Sequence, residues 1–276
     1  MIAFKRTFTD RMETAVEAGL KKAGITTLHG DARFTGQDTI EVGGQVLRAK
    51  TFHIATGARP MTLNIPGEEH LLTSTGFLDL PAKPKRIAFV GGGFIAVEFA
   101  HVARRAGANA VSVFEMMKRP LGNFDADLVG LLVEATLELG IDLKTEAKVS
   151  KIDRQGGEFA VMYATPQGEH VCVCDQVVHA TGRVPNIDGL NLEAADVEFG
   201  PRGIRVSPYM RTTNPAIFAA GDCADSGPNL TPVSAYEARV AGKNILAGKD
   251  VRAVAYPPIP SVVFTLPPVA AVGLSE

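Results

Sequence analysis

The clearest alternation of apolar and polar positions lies between Arg86 and Glu115, R-I-A-F-V-G-G-G-F-I-A-V-E-F-A-H-V-A-R-R-A-G-A-N-A-V-S-V-F-E. Ile87 to Val90 is an unbroken apolar run, the pattern of a strand covered on both faces of a parallel sheet. Ile95, Phe99, Val102, Ala103 and Ala106 then recur at helical spacing. A second apolar run, Ala110 to Phe114, ends in the acid Glu115. The stretch predicts one strand–turn–helix–strand unit, of about the thirty residues that a crossover between parallel strands needs.

The same reading divides the rest of the chain. Ile2 to Ala23 is helix-compatible, with Phe4, Phe8, Met12, Ala15 and Ala18 or Leu20 as an imperfect stripe and Gly24 as a stop. Short β segments follow: T-T-L-H-G-D-A-R-F from Thr26, then T-I-E-V, a Gly43-Gly44 turn and Q-V-L-R-A-K-T-F-H-I. Pro81 to Lys85 reads as a stiff linker. Asp125 can cap a helix carrying Leu128, Leu132, Ala135 and Leu139 on one face and ending at Gly140. A strand near Ile141 to Ile152 is followed by strands Glu158 to Ala164 and His170 to Cys174, then Gln176 to Ala180. Ala216 to Ala220 predicts another strand. Thr231 is placed to cap a helix with Pro232 at its first position and Gly248 beyond its end. The closing stretch, Y-P-P-I-P-S-V-V-F-T-L-P-P-V-A-A-V-G-L-S-E, is strand-like with nothing evident to pair against. It reads as the start of a further domain.

Gly91, Gly93 and Ala96 give the central unit its chemistry, a G-x-G-x-x-A pattern on the turn that opens the helix. Gly91 permits the tight turn, Gly93 clears the way for backbone to approach a pyrophosphate, and Ala96 lets helix and strand pack closely. Exposed amides at the helix start offer partial positive charge to that pyrophosphate. Glu115 is placed to accept hydrogen bonds from the hydroxyls of an adenine ribose. An internal echo supports a second nucleotide lobe on the same plan: A-T-G-x-x-P occurs at Ala55 to Pro60 and again at Ala180 to Pro185, each after a hairpin and an apolar strand.

Composition narrows the function classes. The chain has 276 residues, 46% hydrophobic and 21% charged, a net charge of -2 and three cysteines. Two soluble domains are the expectation from length. The charge balance supplies no footprint for nucleic acid and no polybasic membrane patch. No apolar run is long enough to span a bilayer and no secretory signal is visible, so a cytoplasmic location is expected. Cys172 and Cys174 read as thiols packed on one strand face, and Cys223 as a small residue filling a turn. None of the six histidines, His53 and His179 included, has a metal-ligand partner at suitable spacing, and no metal is expected. Asp125 and Asp127 read as helix capping rather than acid–base chemistry.

Taken together, I-A-T-G-A-R-P, V-G-G-G-F-I-A-V-E, A-T-G-R-V-P-N, F-A-A-G-D-C, L-T-P-V-S-A-Y-E-A-R and P-S-V-V-F-T-L-P-P-V-A-A-V-G-L-S-E resemble the pyridine nucleotide–disulfide oxidoreductases, the flavoprotein family of glutathione reductase, lipoamide dehydrogenase and mercuric reductase. The resemblance covers essentially the whole chain, with the motifs in the family's order. It implies an α/β fold of two Rossmann-like lobes: a discontinuous, incomplete FAD lobe (1–81 and 188–250) with an NAD(P) lobe (82–187) inserted, and the start of an α+β interface domain (251–276). It implies an FAD-dependent oxidoreductase taking hydride from NADH or NADPH to an unidentified acceptor, with a monomer and, where the interface domain is present, a homodimer as equal alternatives. Asp222 would meet the ribityl–phosphate region of the flavin, with Thr56, Gly57 and Gly221 along the backbone path. Leu230, Thr231, Pro232 and Ala235 would lie near the isoalloxazine. NAD(P)H would sit on the turn of Gly91, Gly92, Gly93, Phe94, Ile95 and Ala96, with Val149 and Gly182 lining its far side. Phe94 stands where many relatives have a gating Tyr, and Glu98 where they have a Glu beside the nicotinamide.

The departures from the family are specific. No G-x-G-x-x-G unit precedes Ile2, no C-x-x-x-x-C follows, and no H-P-x-x-x-E appears. The expectation is therefore the middle of a family member, with no catalytic residue identifiable, and a non-catalytic nucleotide-binding fragment as the alternative. Glu115 would repel a 2′-phosphate, and Met116 and Met117 stand where the NADPH-using branch places cations, so NADH is favoured over NADPH.

Overall fold

The computed structural model describes residues 2–274. The chain divides into two compact units: one spans Pro60–Gly182 and takes in the chain from Pro258 onward, and the other is assembled from Ala3–Arg59 and Arg183–Pro257. The first is thus inserted in the sequence of the second. Both contain parallel strand pairing, and the fold is α/β.

The inserted unit is built on a four-stranded parallel sheet in the order Gln176–His179, Arg86–Val90, Ala110–Phe114, Ile141–Lys144. Leu72 extends it by one bridge beside Val178. The unbroken apolar run of Arg86–Val90 has a plain cause, since both faces are covered. Ile87 and Phe89 pack with Ala96, Ala100 and Ala103 of the helix Phe94–Arg105. Ala88 and Val90 pack with Val149, Ile152, Val161 and Tyr163 of an antiparallel meander, Lys148–Gln155, Glu158–Thr165 and Gly168–Cys174. Pro81–Lys85 lies inside this unit, and Lys83 Nζ donates to Gly107 O at 2.9 Å.

Several expectations shift in detail. The helix Phe94–Arg105 buries Ala96, Val97, Ala100, His101 and Ala103, whereas Val102 is 46% exposed. Small residues face the sheet because a helix over a parallel sheet must come close, and bulkier Ile95 and Phe99 flank them half-buried. Asp125 caps the helix Ala126–Glu138 as expected, accepting from the amides of Asp127 and Leu128 at 3.0 Å each. The buried face of that helix is Val129, Leu132 and Thr136, with Leu128 exposed. The strand expected near Ile141 to Ile152 is two strands, because Glu146 takes a φ of 51° between them. The closing stretch does find a partner. Ser261–Val263 pairs antiparallel with Val269–Ala271, and Val263 and Val269 pack with Val97, Leu121, Val129 and Leu132. The Leu266-Pro267-Pro268 interruption of the apolar run lies between the two strands.

The discontinuous unit pairs Phe52–Ile54 with Ile217–Ala219 in parallel. Beside this pair are a meander of Ala32–Gly36, Thr39–Val42 and Gln45–Arg48, and a small sheet of Phe199–Gly200, Gly203–Arg205 and Ala224–Asp225. Phe34, Ile54, Leu192, Ile204, Ile217 and Cys223 share one core. The helix Thr231–Ala247 packs Val240 and Ala241 against Met210, Phe218 and Ala220. Residues 26–31, expected in a strand, are irregular. The single helix expected at the start is two, Ile2–Thr9 and Met12–Lys22, neither with a buried residue.

His101 of the helix Phe94–Arg105 is 2% exposed, and its Nε2 faces Oγ of Thr136 in the helix Ala126–Glu138 at 2.9 Å. The Thr136 hydroxyl donates to Leu132 O at 2.7 Å, so the imidazole donates from Nε2, and Nδ1 is buried and unbonded. Burial, and then the charge of Arg105, pushes the pKa of His101 below its ordinary value. Below pH ~6.5 the unfolded chain binds this proton and the folded chain resists it. Stability is therefore expected to fall as pH drops below about 6.5. Chemical denaturation of His101→Gln across that range should show a flatter profile than the parent; an identical slope would remove His101 as the cause.

Candidate functional site

The turn after Arg86–Val90 leaves the sheet at its carboxyl edge. Gly91 has a φ of 107°, and a Cβ there would stand 2.4 Å from Ala180 O, so only glycine fits between the two strand ends. A Cβ on Gly92 would stand 2.4 Å from Glu115 Oε2, which places the Glu115 side chain directly over the turn. Gly93 differs from both. Its φ is -74°, and a Cβ would meet nothing closer than Ala180 O at 4.0 Å. Gly93 is also the residue before the first helical turn, and no side chain caps that end. The first amides of Phe94–Arg105 thus have no side-chain cap, and Gly93 is exposed beside them, as at the helix starts that cradle anions.

Glu115 is 9% exposed, and its Oε1 accepts from the amide of Met117 at 2.6 Å. Its carboxylate is therefore fixed at the end of the second strand, beside the turn. Met116 and Met117 are 65% and 62% exposed. Arg119 donates to the carbonyls of Leu121 and Gly122. Phe94 is 52% exposed at the helix start, while Ile95 is half-buried and Ala96 fully buried. The Glu98 carboxylate accepts from Phe264 N at 2.8 Å, so it ties the helix to the closing hairpin. Val149 is 8% exposed, with its side chain in the layer between sheet and meander. Gly182, with a φ of 135°, follows the strand end that abuts Gly91, and a Cβ there would lie 3.2 Å from Met61 Sδ.

A second turn occupies the discontinuous unit. Strand Ile217–Ala219 runs into Gly221, whose φ is 75°, and Asp222 follows half-buried. Ser234 Oγ donates to Asp222 Oδ1 at 3.4 Å. Thr231, expected as the helix cap, is instead the first helical residue; Leu230 precedes it, and no side chain caps this end either. Thr231 and Ala235 are exposed on the first turns. Near the first A-T-G turn, the amide of Asn186 donates to Gly57 O at 2.9 Å, and its side chain reaches Thr56 O. Arg183 donates to Ala58 O.

One group escaped the sequence reading. Glu237, 1% exposed, accepts from the amides of Gly221 and Gly227 and from the hydroxyl of Tyr256. An acid between Val233 and Val240 on the buried stripe of a helix was the available signal.

The cysteines are structural in character. Burial, then neighbouring Cys172, pushes the Cys174 thiol up to about 12, which suppresses the thiolate that redox chemistry needs. Cys223 is fully buried with its Sγ toward Ile54 O and Ala220 O. Among the described residues no group of three or more His, Cys, Asp or Glu is gathered to hold a metal ion, and no helix is long and apolar enough to cross a membrane.

A mercuric reductase of Staphylococcus aureus is 36% identical over 93% of this chain and 47% of its own length. A glutathione reductase of Burkholderia cepacia is 36% identical over all of this chain and 60% of its own. Among solved structures, the HOCl-induced flavoprotein disulfide reductase RclA from Escherichia coli superposes with a TM-score of 0.90 at 26% identity, covering 100% of this chain and 63% of that one. The chain thus spans about half to two thirds of the length of these relatives. Residues 4–238 match the family described as pyridine nucleotide-disulphide oxidoreductase, and the chain belongs to that family.

Proposed function

We propose that this chain carries the nucleotide-binding part of a flavin-dependent oxidoreductase, with NAD(P)H held by the inserted unit and FAD by the discontinuous one. The observation that carries the reading is the turn at Gly93: an uncapped helix start beside an exposed glycine, with a carboxylate held over the turn. The first amides of Phe94–Arg105 would take the pyrophosphate, and Glu115 the ribose hydroxyls. Phe94 would act as a steric cover for the nicotinamide, with Glu98, Val149 and Gly182 as further lining. NADH is the favoured donor, because Glu115 opposes a 2′-phosphate and Arg119 is already committed to backbone carbonyls.

Asp222 would receive hydrogen bonds from the ribityl hydroxyls of FAD, with Thr56, Gly57 and Gly221 giving backbone contact. The uncapped start of Thr231–Ala247, with Leu230, Thr231 and Ala235, would favour negative charge on the flavin. The flavin, when bound, supplies the hydride-accepting chemistry; the protein's part is to bind and orient both nucleotides. In domain terms, residues 3–59 and 183–257 would serve FAD and 60–182 NAD(P), which moves 60–81 from the FAD lobe expected from sequence to the inserted unit.

Reconstitution of the purified chain with FAD, followed by NADH titration and turnover with a quinone acceptor, tests this. Flavin retained and bleached by NADH supports the enzyme reading. NADH binding without flavin reduces it to a nucleotide-binding fragment, and absence of NADH binding overturns it.

A further inference from the structure

Glu237 has donors but no cation within reach of its hydrogen bonds. Oε2 accepts from Gly221 N at 2.8 Å; Oε1 accepts from Gly227 N at 3.2 Å and from Tyr256 Oη at 2.6 Å. A carboxylate on the buried stripe of a helix is costly, and an apolar residue there would serve packing better. What the acid does is local. Its two backbone donors come from the two ends of one loop, residues 221–227, and that loop carries Asp222.

The loop is built around this anchor. A Cβ on Gly221 would lie 3.1 Å from Ser234, one turn of helix before Glu237. A Cβ on Gly227 would lie 2.8 Å from the Tyr256 ring, so the amide can reach Glu237 only with glycine in place. Tyr256 is held as a donor: burial, and then Glu237, raises its pKa above the ordinary value for a tyrosine. Ser234 steadies the Asp222 carboxylate from the same helix. One helix face therefore fixes both ends of the loop and the acid within it.

We propose that Glu237, supported by Tyr256, is a positioning residue for flavin binding, setting the 221–227 loop so that the Asp222 carboxylate is presented to the ribityl hydroxyls. The inference rests on the FAD reading above. It does not touch the ligand itself, and it acts only through Asp222 and the loop amides.

The test is a double-mutant cycle on FAD affinity, read by flavin fluorescence quenching with the full chain. Glu237→Gln keeps the shape but loses the charge that the two amides and the phenol share, and Asp222→Ala removes the group being positioned. Each single variant is expected to weaken FAD by about tenfold, the size of a lost charged hydrogen bond. The double variant should fall within about threefold of Asp222→Ala, since coupled residues do not add. Fully additive losses overturn the proposal and leave the flavin reading standing. Absence of FAD binding by the parent chain overturns both. Tyr256→Phe, which removes one donor and leaves the carboxylate in place, covers the case in which Glu237→Gln fails to fold. It should weaken FAD with its melting temperature kept, and an unchanged FAD affinity would count against the anchor.

Discussion

Alanine at position 91 is expected to destabilise the inserted unit and abolish NADH binding together. The φ of 107° at Gly91 is a backbone region that residues with a Cβ rarely enter. The new methyl would stand 2.4 Å from Ala180 O, 2.7 Å from Ala180 C and 2.9 Å from Thr181 N. These are backbone atoms and cannot rotate away. They are also pinned, since Gly91 N donates to Phe114 O and Ala180 N to Val90 O, each at 2.8 Å. Backbone strain and overpacking together cost about 2–5 kcal/mol, a melting shift of roughly 5–15 °C for a chain of this size. Gly93→Ala is the control. Its φ of -74° suits any residue and its Cβ meets nothing within van der Waals distance. It should melt within a few degrees of the parent while still weakening NADH, because the methyl would enter the space proposed for the pyrophosphate. A Gly91→Ala protein that melts like the parent would show that the Ala180 backbone gives way and that the turn is looser than described.

The contrast between those two glycines also marks where sequence reasoning stops. The strand–turn–helix–strand unit was legible from Ile87 to Glu115 because a strand covered on both faces and a helix over a sheet leave periodic apolar signals. Which helical face is inward was less legible. The strip through Ile95, Phe99 and Val102 is the more hydrophobic, yet close approach to the sheet selects Ala96, Ala100 and Ala103. The closing hairpin was missed because Leu266-Pro267-Pro268 reads as an interruption of one strand, and pairing with Val269–Ala271 is a tertiary fact. Glu237 was missed because an acid in a helix is ordinarily a surface residue; only the converging amides of Gly221 and Gly227 distinguish it. The cofactor turns themselves were read as motifs, and the geometry adds a different reason for each glycine.

Glu115→Gln is expected to shift the ratio of NADH and NADPH affinities toward NADPH. The carboxylate is held over the turn: Oε1 accepts from Met117 N at 2.6 Å, and Oε2 stands 2.4 Å from the place a Cβ on Gly92 would take. Being 9% exposed, it is poorly screened, so the repulsion is felt at short range. The neighbouring side chains offer little compensation beyond the exposed Lys118. Met116 and Met117 are uncharged, Arg119 spends its guanidinium on Leu121 O and Gly122 O, and Lys144 is paired with Asp142 at 2.7 Å. Glutamine is nearly isosteric and can still accept from Met117 N, so the substitution removes charge with little change of shape. NADH should weaken a few-fold, as a charge-assisted bond to the ribose becomes a neutral one. NADPH should tighten by about tenfold, moving the ratio of affinities by roughly 30- to 100-fold, or about 2–3 kcal/mol. Competitive titration of the two coenzymes at low and high salt reads this directly. The parent's discrimination should largely persist as salt rises, because a buried carboxylate is screened less than an exposed one. A ratio unchanged by the substitution would mean that the ribose end of the coenzyme lies away from Glu115, and the placement of the pyrophosphate on the Gly93 turn would fall with it.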